Sequence, residues 1–326
     1  MKTKLVLLAG GFLFILGCNK TSGPKNENAI PEQETFTATQ RQCASYDVLQ
    51  QQLNDDPGLR TRMEAIDEFT KRIADNPDGY RLLPNGIVEI PVVFNVLYKT
   101  AAQNVSLAQL QSQIDVLNED YSGTNADHNL TTTYNNVKAG DISVRFVLDQ
   151  VKRKSTGKSS WSTNDAMKKN AQGIVPTSPA TKLNIWVCNL SGGILGYAQF
   201  PGGNANTDGV VLDDNATGRT GTAAAPFNKG RTATHEVGHW LNLRHIWGDA
   251  TCGNDLVGDT PLHNAANFGC PAADHRSTCT GQPVEMTMNY MDYTDDACMY
   301  MFSQGQRTRM LAVFANGGPR NSFAQP

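Results

Sequence analysis

Half of the six histidines in this 326-residue chain fall within one run, His235-Glu236-Val237-Gly238-His239-Trp240-Leu241-Asn242-Leu243-Arg244-His245. On a helix turning by about 100° per residue, His235 and His239 stand about 40° apart on one face, close enough to grip a single ion. Glu236 is displaced by about 100°, so it borders that ion rather than ligating it, the position of a general base. His245 is six residues beyond His239, and a continued helix would carry it away by about 240° and roughly 9 Å. The chain must therefore turn, and Asn242 stands where a left-handed residue would end the helix, a conformation that Asn tolerates well. Two histidines from a helix and one from the following turn leave a fourth position open on zinc, as hydrolysis requires.

Other readings of these residues are weaker. A zinc site using a downstream glutamate as third ligand fails, because no Glu occurs between Glu236 and Glu285. A purely structural zinc site would close its fourth position with Cys or His. His263 and His275 are the candidates, and each fits a surface loop or a hydrogen-bond network better. A metallo-aminopeptidase would need a second metal-carboxylate cluster, of which the sequence shows no sign.

The run HEVGHWLNLRH, followed by MNYMDY at 288–293, resembles the metzincin metallopeptidases, whose zinc helix is paired with a Met-turn. More narrowly, LNIWVCNL, GYAQFPGG, GDTP and NYMDYTDDACMYMFSQGQ are similar to the pappalysin group of ulilysin- and cytophagalysin-like enzymes. The resemblance covers about residues 82–314. It implies His235, His239 and His245 as zinc ligands and Glu236 as general base and acid. It also implies Met291 beneath the metal and Tyr293 as a hydrogen-bond donor to the tetrahedral oxyanion. Asp296 resembles the acid at the base of the pocket that receives the residue after the scissile bond, where a buried carboxylate would select Arg or Lys. Asp255, with the carbonyls of Asn254, Gly258 and Thr260, resembles a calcium loop, although its Asp and Asn side chains could equally cap the turn themselves. The family pattern usually has Gly where this chain has Asn242. Conformational tolerance says that activity survives the change.

The resemblance implies an α+β fold: a twisted mixed sheet and an active-site helix above an irregular C-terminal half, preceded by a short helical propeptide. The sequence patterning is in keeping with it. Apolar runs at 87–98, 142–149 and 183–189 read as strands, the last apolar enough to be central. Residues 197–200 and 209–213, bounded by glycines, suit the margins of a sheet. Ser106 caps a helix carrying Leu107, Leu110, Ile114 and Leu117, and a last helix falls near 303–314. Residues 46–74 show helical spacing through Leu49, Leu53, Leu59, Met63, Ile66, Phe69 and Ile73, but too few apolar groups to be stable alone. Beyond Gly248 the patterning fades, and a long irregular stretch in a compact domain is usually functional and needs staples.

Seven cysteines leave at least one outside any intramolecular disulfide. Cys252, Cys270, Cys279 and Cys298 lie in the irregular stretch and allow three pairings; the resemblance favours Cys252 with Cys279 and Cys270 with Cys298. Arg41-Gln42-Cys43 resembles the cysteine switch of latent metzincins, in which Cys43 would take zinc's fourth position. The competing reading joins Cys43 to Cys188 in a disulfide. Residues 1–18 carry two lysines, a short apolar run and Ile15-Leu16-Gly17-Cys18, which resembles a bacterial lipobox with Cys18 as the lipidated residue. Cys18 would then anchor an exported protein to an envelope membrane.

The expected organisation is a signal peptide at 1–18, a tether and inhibitory helical propeptide at 19–80, and a zinc peptidase domain at 81–326, with Tyr80-Arg81 as the activation bond. A net charge of −3 and 18% charged residues exclude nucleic-acid binding driven by bulk charge. The expected activity is hydrolysis of protein or peptide substrates. The competing class is a catalytically silent surface binding protein or adhesin on the same scaffold. Such a decayed enzyme would have lost Glu236, a histidine or Tyr293.

Overall fold

A computed structural model describes residues 38–76, 86–130 and 133–324. Cys18 and the Tyr80-Arg81 bond lie outside the described residues. The sheet has five strands: β1 (Val88–Tyr98), β2 (Val144–Ser155), β3 (Leu183–Cys188), β4 (Gly196–Ala198) and β5 (Val210–Asp213). Their spatial order is β2-β1-β3-β5-β4, with β4 antiparallel to β5 and every other pair parallel.

The apolar run at 183–189 is the central strand, as its composition requires, since parallel strands covered on both faces have no polar side to show. Side chains alternate: Ile185 and Val187 enter one core, whereas Trp186 and Cys188 enter the other. Two expectations are corrected. Residues 209–213 are not marginal, because β5 pairs with β3 on one side and β4 on the other. The strand expected at 142–149 starts at Val144 and runs on to Ser155, its exposed polar end held by the ladder to β1 rather than by apolar burial.

The first face of the sheet carries α3 (Leu107–Ser122) and α4 (Arg231–Trp240) in one core with Leu110, Ile114, Leu117, Val237 and Trp240. Ser106 caps α3 through its hydroxyl, which accepts from Gln109 N. Arg231 then ties the layers together, reaching Asp120 and Asp127 as well as the carbonyls of Asp296 and Met299.

The helical pattern at 46–74 resolves into α1 (Ser45–Asp55) and α2 (Leu59–Asp75), broken at Asp56-Pro57-Gly58. As their weak hydrophobicity demands, they pack on something else: Leu49, Leu59 and Met63 against Phe200, and Ile73 against Ala312 and Ala315. The last two belong to α5 (Gln304–Ala312) and the turn after it, and Ser303 and Gln306 cap α5 reciprocally.

Between α4 and α5 no strand or helix forms. Disulfides join Cys252 to Cys279 and Cys270 to Cys298. Cys43 and Cys188 are free, and Cys188 is buried in β3.

Candidate active site

His235 and His239 lie on one face of α4, and the helix ends at Trp240, one residue past His239. Asn242 adopts φ 77°, its N–H donating to the His239 carbonyl at 2.9 Å. That left-handed residue reverses the chain and brings His245 back to the helix. The result is His239 Nε2 at 3.2 Å from His235 Nε2 and 3.1 Å from His245 Nε2.

Each ring is fixed from behind. His235 Nδ1 lies 2.7 Å from the Tyr290 carbonyl, His239 Nδ1 lies 2.8 Å from the Leu243 carbonyl, and His245 Nδ1 meets the Asp249 carboxylate. Trp247 stacks flat on His245 at 4.4 Å. Donating Nδ1–H outward leaves each Nε2 as a bare lone pair facing the other two. Burial and the neighbouring imidazoles push His235 and His239 well below the ordinary histidine pKa, so both stay neutral. Three converging lone pairs repel unless a cation lies between them. With zinc–nitrogen bonds of about 2.0–2.1 Å, tetrahedral ligands stand roughly 3.3 Å apart, close to the spacing seen. The donor set therefore fits zinc.

Cys43 completes the group: one donor atom from each of Cys43, His235, His239 and His245 lies within 4.8 Å of the others. The Cys43 Sγ also donates to Glu236 Oε2 at 3.4 Å, and the Ser45 hydroxyl donates to the same oxygen at 2.8 Å. Burial drives Glu236 up to about 7, against the pull of these two donors and the Arg41 charge. Burial and the adjacent Glu236 push the Cys43 thiol well up, so a nearby cation is needed to form its thiolate.

The Met-turn passes underneath. Met291 is fully buried, and a Cβ on Gly238 would stand 2.5 Å from its Sδ, so the glycine within the motif admits the methionine. Tyr293 faces the cluster, its ring centroid 5.0 Å from that of His245, and its hydroxyl donates to the Cys43 carbonyl at 3.0 Å. Asp296 is buried at the N-terminal end of α4, where its Oδ2 accepts from Lys229 N at 2.7 Å and Arg231 N at 3.3 Å. Its Oδ1 receives the Arg41 guanidinium at 2.6 Å. Arg41 also donates to Thr294 O and Thr232 Oγ1 and is 1% exposed.

The segment around Cys43 crosses the open edge of the sheet. Ala44 N donates to Gly196 O and Leu195 N to Gln42 O, in a bridge parallel to β4.

The Asp255 loop is closed on itself. Asp255 accepts from Val257 N and from the Thr260 hydroxyl, Asn254 Oδ1 accepts from Leu256 N, and burial raises Asp255 to about 6. These are the bonds of a self-capped turn. Gly258 lies in the same loop, with open space about its Cα. His263 is buried in a network, Nε2 accepting from Met286 N and Nδ1 facing Glu285 and Asp292. His275 stands at the exposed rim of that network.

Sequence reasoning alone did not find Asp249, Ser45 or Gly196. Asp249 follows His245 by one helical turn's spacing, a legible signal for a carboxylate behind a histidine. Nothing local marks Ser45 or Gly196. A Cβ on Gly196 would meet Glu236 Cγ at 2.9 Å, a contact that exists only once the sheet edge and α4 are assembled.

The family model described as pregnancy-associated plasma protein-A matches residues 180–315. An extracellular metalloprotease of Verticillium alfalfae is 34% identical over 256 residues, covering 74% of this chain and 83% of the relative. A mutant of Tannerella forsythia promirolysin superposes with a TM-score of 0.79 at 40% identity, over 87% of this chain and 97% of that one. Mature mirolysin of the same organism, in complex with a cleaved peptide, gives 0.71 at 44% identity, over 74% and 96%. The buried three-histidine cluster, the Met-turn beneath it and these likenesses lead to one conclusion: the chain is a zinc metalloprotease belonging to the pappalysin group of metzincins.

Proposed function

We propose that this chain is an endopeptidase made as a latent zymogen, with His235, His239 and His245 holding zinc and Cys43 occupying the fourth position until activation. The observation that carries the reading is the convergence of Cys43 with the three histidines while Arg41 pairs with the buried Asp296.

When bound, zinc supplies Lewis-acid polarisation of the scissile carbonyl. Glu236 Oε2, now holding the Cys43 and Ser45 hydrogen bonds, accepts a proton from the attacking water and returns it to the leaving amine. One carboxylate serves both steps, as base and then as acid. The Tyr293 hydroxyl, which donates to a carbonyl oxygen in the latent form, is placed to donate to the oxyanion that develops on a substrate carbonyl. Asp296, buried and shaped around a guanidinium, selects Arg or Lys just after the scissile bond.

Latency follows from chain direction. In a substrate cut before Arg, the residue at the metal precedes that Arg; in this segment Cys43 lies at the histidines and follows Arg41. The segment therefore crosses the cleft reversed, with no peptide bond presented to Glu236. Residues 19–80 would be the removable propeptide, 81–326 the catalytic unit and Tyr80-Arg81 the activation bond. The greater coverage of this chain by promirolysin than by the mature form supports that division.

Export follows from the signal-like residues 1–18 and from relatives named as extracellular, with Cys18 as the lipid anchor. Calcium at Asp255, with the carbonyls of Asn254, Gly258 and Thr260, would require the turn to open. Chelator-sensitive cleavage of a denatured protein, abolished in Glu236→Ala, tests the enzyme. A peptide library cut before apolar rather than basic residues would overturn the specificity.

A further inference from the structure

The far end of α4 carries a second carboxylate cradle. Asp67, on α2, accepts from Arg244 Nη2 at 3.0 Å through one oxygen and from Arg309 through the other. Neither arginine is a free surface side chain. The Arg309 side chain is 5% exposed, and its Nε donates to the Asn242 carbonyl at 2.6 Å. Arg244 sits in the turn between Asn242 and His245, so the fold of the histidine cluster itself places it. The two guanidiniums thus converge on one carboxylate from positions that catalysis already requires to be rigid.

That carboxylate belongs to the segment assigned above as propeptide. Its removal takes away the one carboxylate that accepts from both guanidiniums and leaves two like charges side by side. Asp255, whose charge also acts on Arg309, already accepts from Val257 N and Thr260. An arginine pair of fixed geometry is a strong site for a planar carboxylate.

Its position relative to the cleft is set by α4. Asp296 caps the first residues of that helix, and Asn242 and Arg244 lie just past its last. The two sites are therefore separated by about 15 Å of helix, the length of roughly four extended residues. We propose that Arg244 and Arg309 form a carboxylate-binding subsite that Asp67 fills in the zymogen and an acidic substrate side chain fills in the mature enzyme. This rests on the endopeptidase reading and deepens it: the enzyme selects a basic residue after the scissile bond and an acidic one several positions before it.

The test uses activated enzyme and synthetic peptides with Arg fixed after the scissile bond. Each of the six preceding positions carries Glu in one peptide and Gln in its match. One position should favour Glu over Gln by about fivefold in kcat/KM. That ratio should fall to one in Arg244→Gln and below one in Arg244→Glu. Equal cleavage at all six positions, or a Glu preference surviving in Arg244→Gln, overturns the subsite while leaving the endopeptidase intact. Failure to cut any peptide overturns the endopeptidase reading, and the subsite with it.

Discussion

The regions before and after Trp240 hold their residues in place by different means. Up to Trp240, position is set by backbone ladders and apolar layers: β1 and β3 are almost wholly buried, and α3 and α4 seal one face. From Leu241 to Phe302 there is no regular element, and position is set by two disulfides and by side chains bonded to distant backbone. Asn267 holds Asp292, Arg309 holds Asn242, and Arg231 holds the carbonyls of Asp296 and Met299. The site takes its paired histidines and Glu236 from the first half, and His245, Met291, Tyr293 and Asp296 from the second. A ladder fixes a helix well but cannot set four side chains at unrelated angles. An irregular chain can, provided that enough cross-links hold it.

The largest effect expected from breaking this division is chemical. Glu236→Gln removes the proposed proton carrier from the regular half and should lower kcat of the activated enzyme by roughly 10²–10⁴-fold, with the melting temperature little changed. Steady-state kinetics beside calorimetry separates the two readouts, and activity within tenfold of wild type would remove Glu236 from the mechanism.

Next comes the stapling. Replacing Cys270 and Cys298 together by Ser should cost about 3 kcal/mol, concentrated in the irregular half. Hydrogen exchange should quicken through 241–302 while β1 and β3 keep their protection; uniform quickening would show that the halves unfold as one.

A smaller effect tests the turn between them. Asn242→Gly keeps the positive φ and should shift stability by less than about 0.5 kcal/mol, whereas Asn242→Val at φ 77° should cost about 1–2 kcal/mol and weaken zinc binding through displaced His245. Equal zinc affinity in the two variants would detach the turn from the site.

The smallest effect is a pH slope. Burial raises Asp292 to about 7, so its protonated form is favoured by folding: the contribution is fully present below the unfolded value near 3.8 and lost as pH rises through 7. Asp120 at about 6 and Asp213 at about 7 act in the same direction in the regular half. Wild type should therefore lose stability between about pH 4 and 7.5, and Asp292→Asn should flatten that loss by at least about 1 kcal/mol. A slope unaltered in the variant would clear Asp292.

The division also explains what could be read in advance. Periodicity made β1, β3, α3 and α5 legible, because burial on a regular element repeats at fixed spacing. It misplaced 209–213, since short apolar strands look alike whether a sheet continues beyond them or not. In the irregular half only residue chemistry was legible. There the cysteines declared themselves by type, the Met-turn by family resemblance and Asn242 by its tolerance of positive φ, while the His-Glu-x-x-His run was legible by type and helical spacing together on α4.

The local sequence by itself thus determined the histidine-bearing helix, its stop and the candidate metal donors, because helical rotation and backbone sterics act over a few residues. Only the tertiary structure decided that Arg41 pairs with Asp296, that Ser45 and Cys43 share one oxygen of Glu236, and that Asp67 bridges Arg244 and Arg309. Those pairs are separated by 255, 191, 193, 177 and 242 residues. No local rule carries across such distances; what joins them is the packing of two weakly apolar helices onto a cleft that must be closed until it is used.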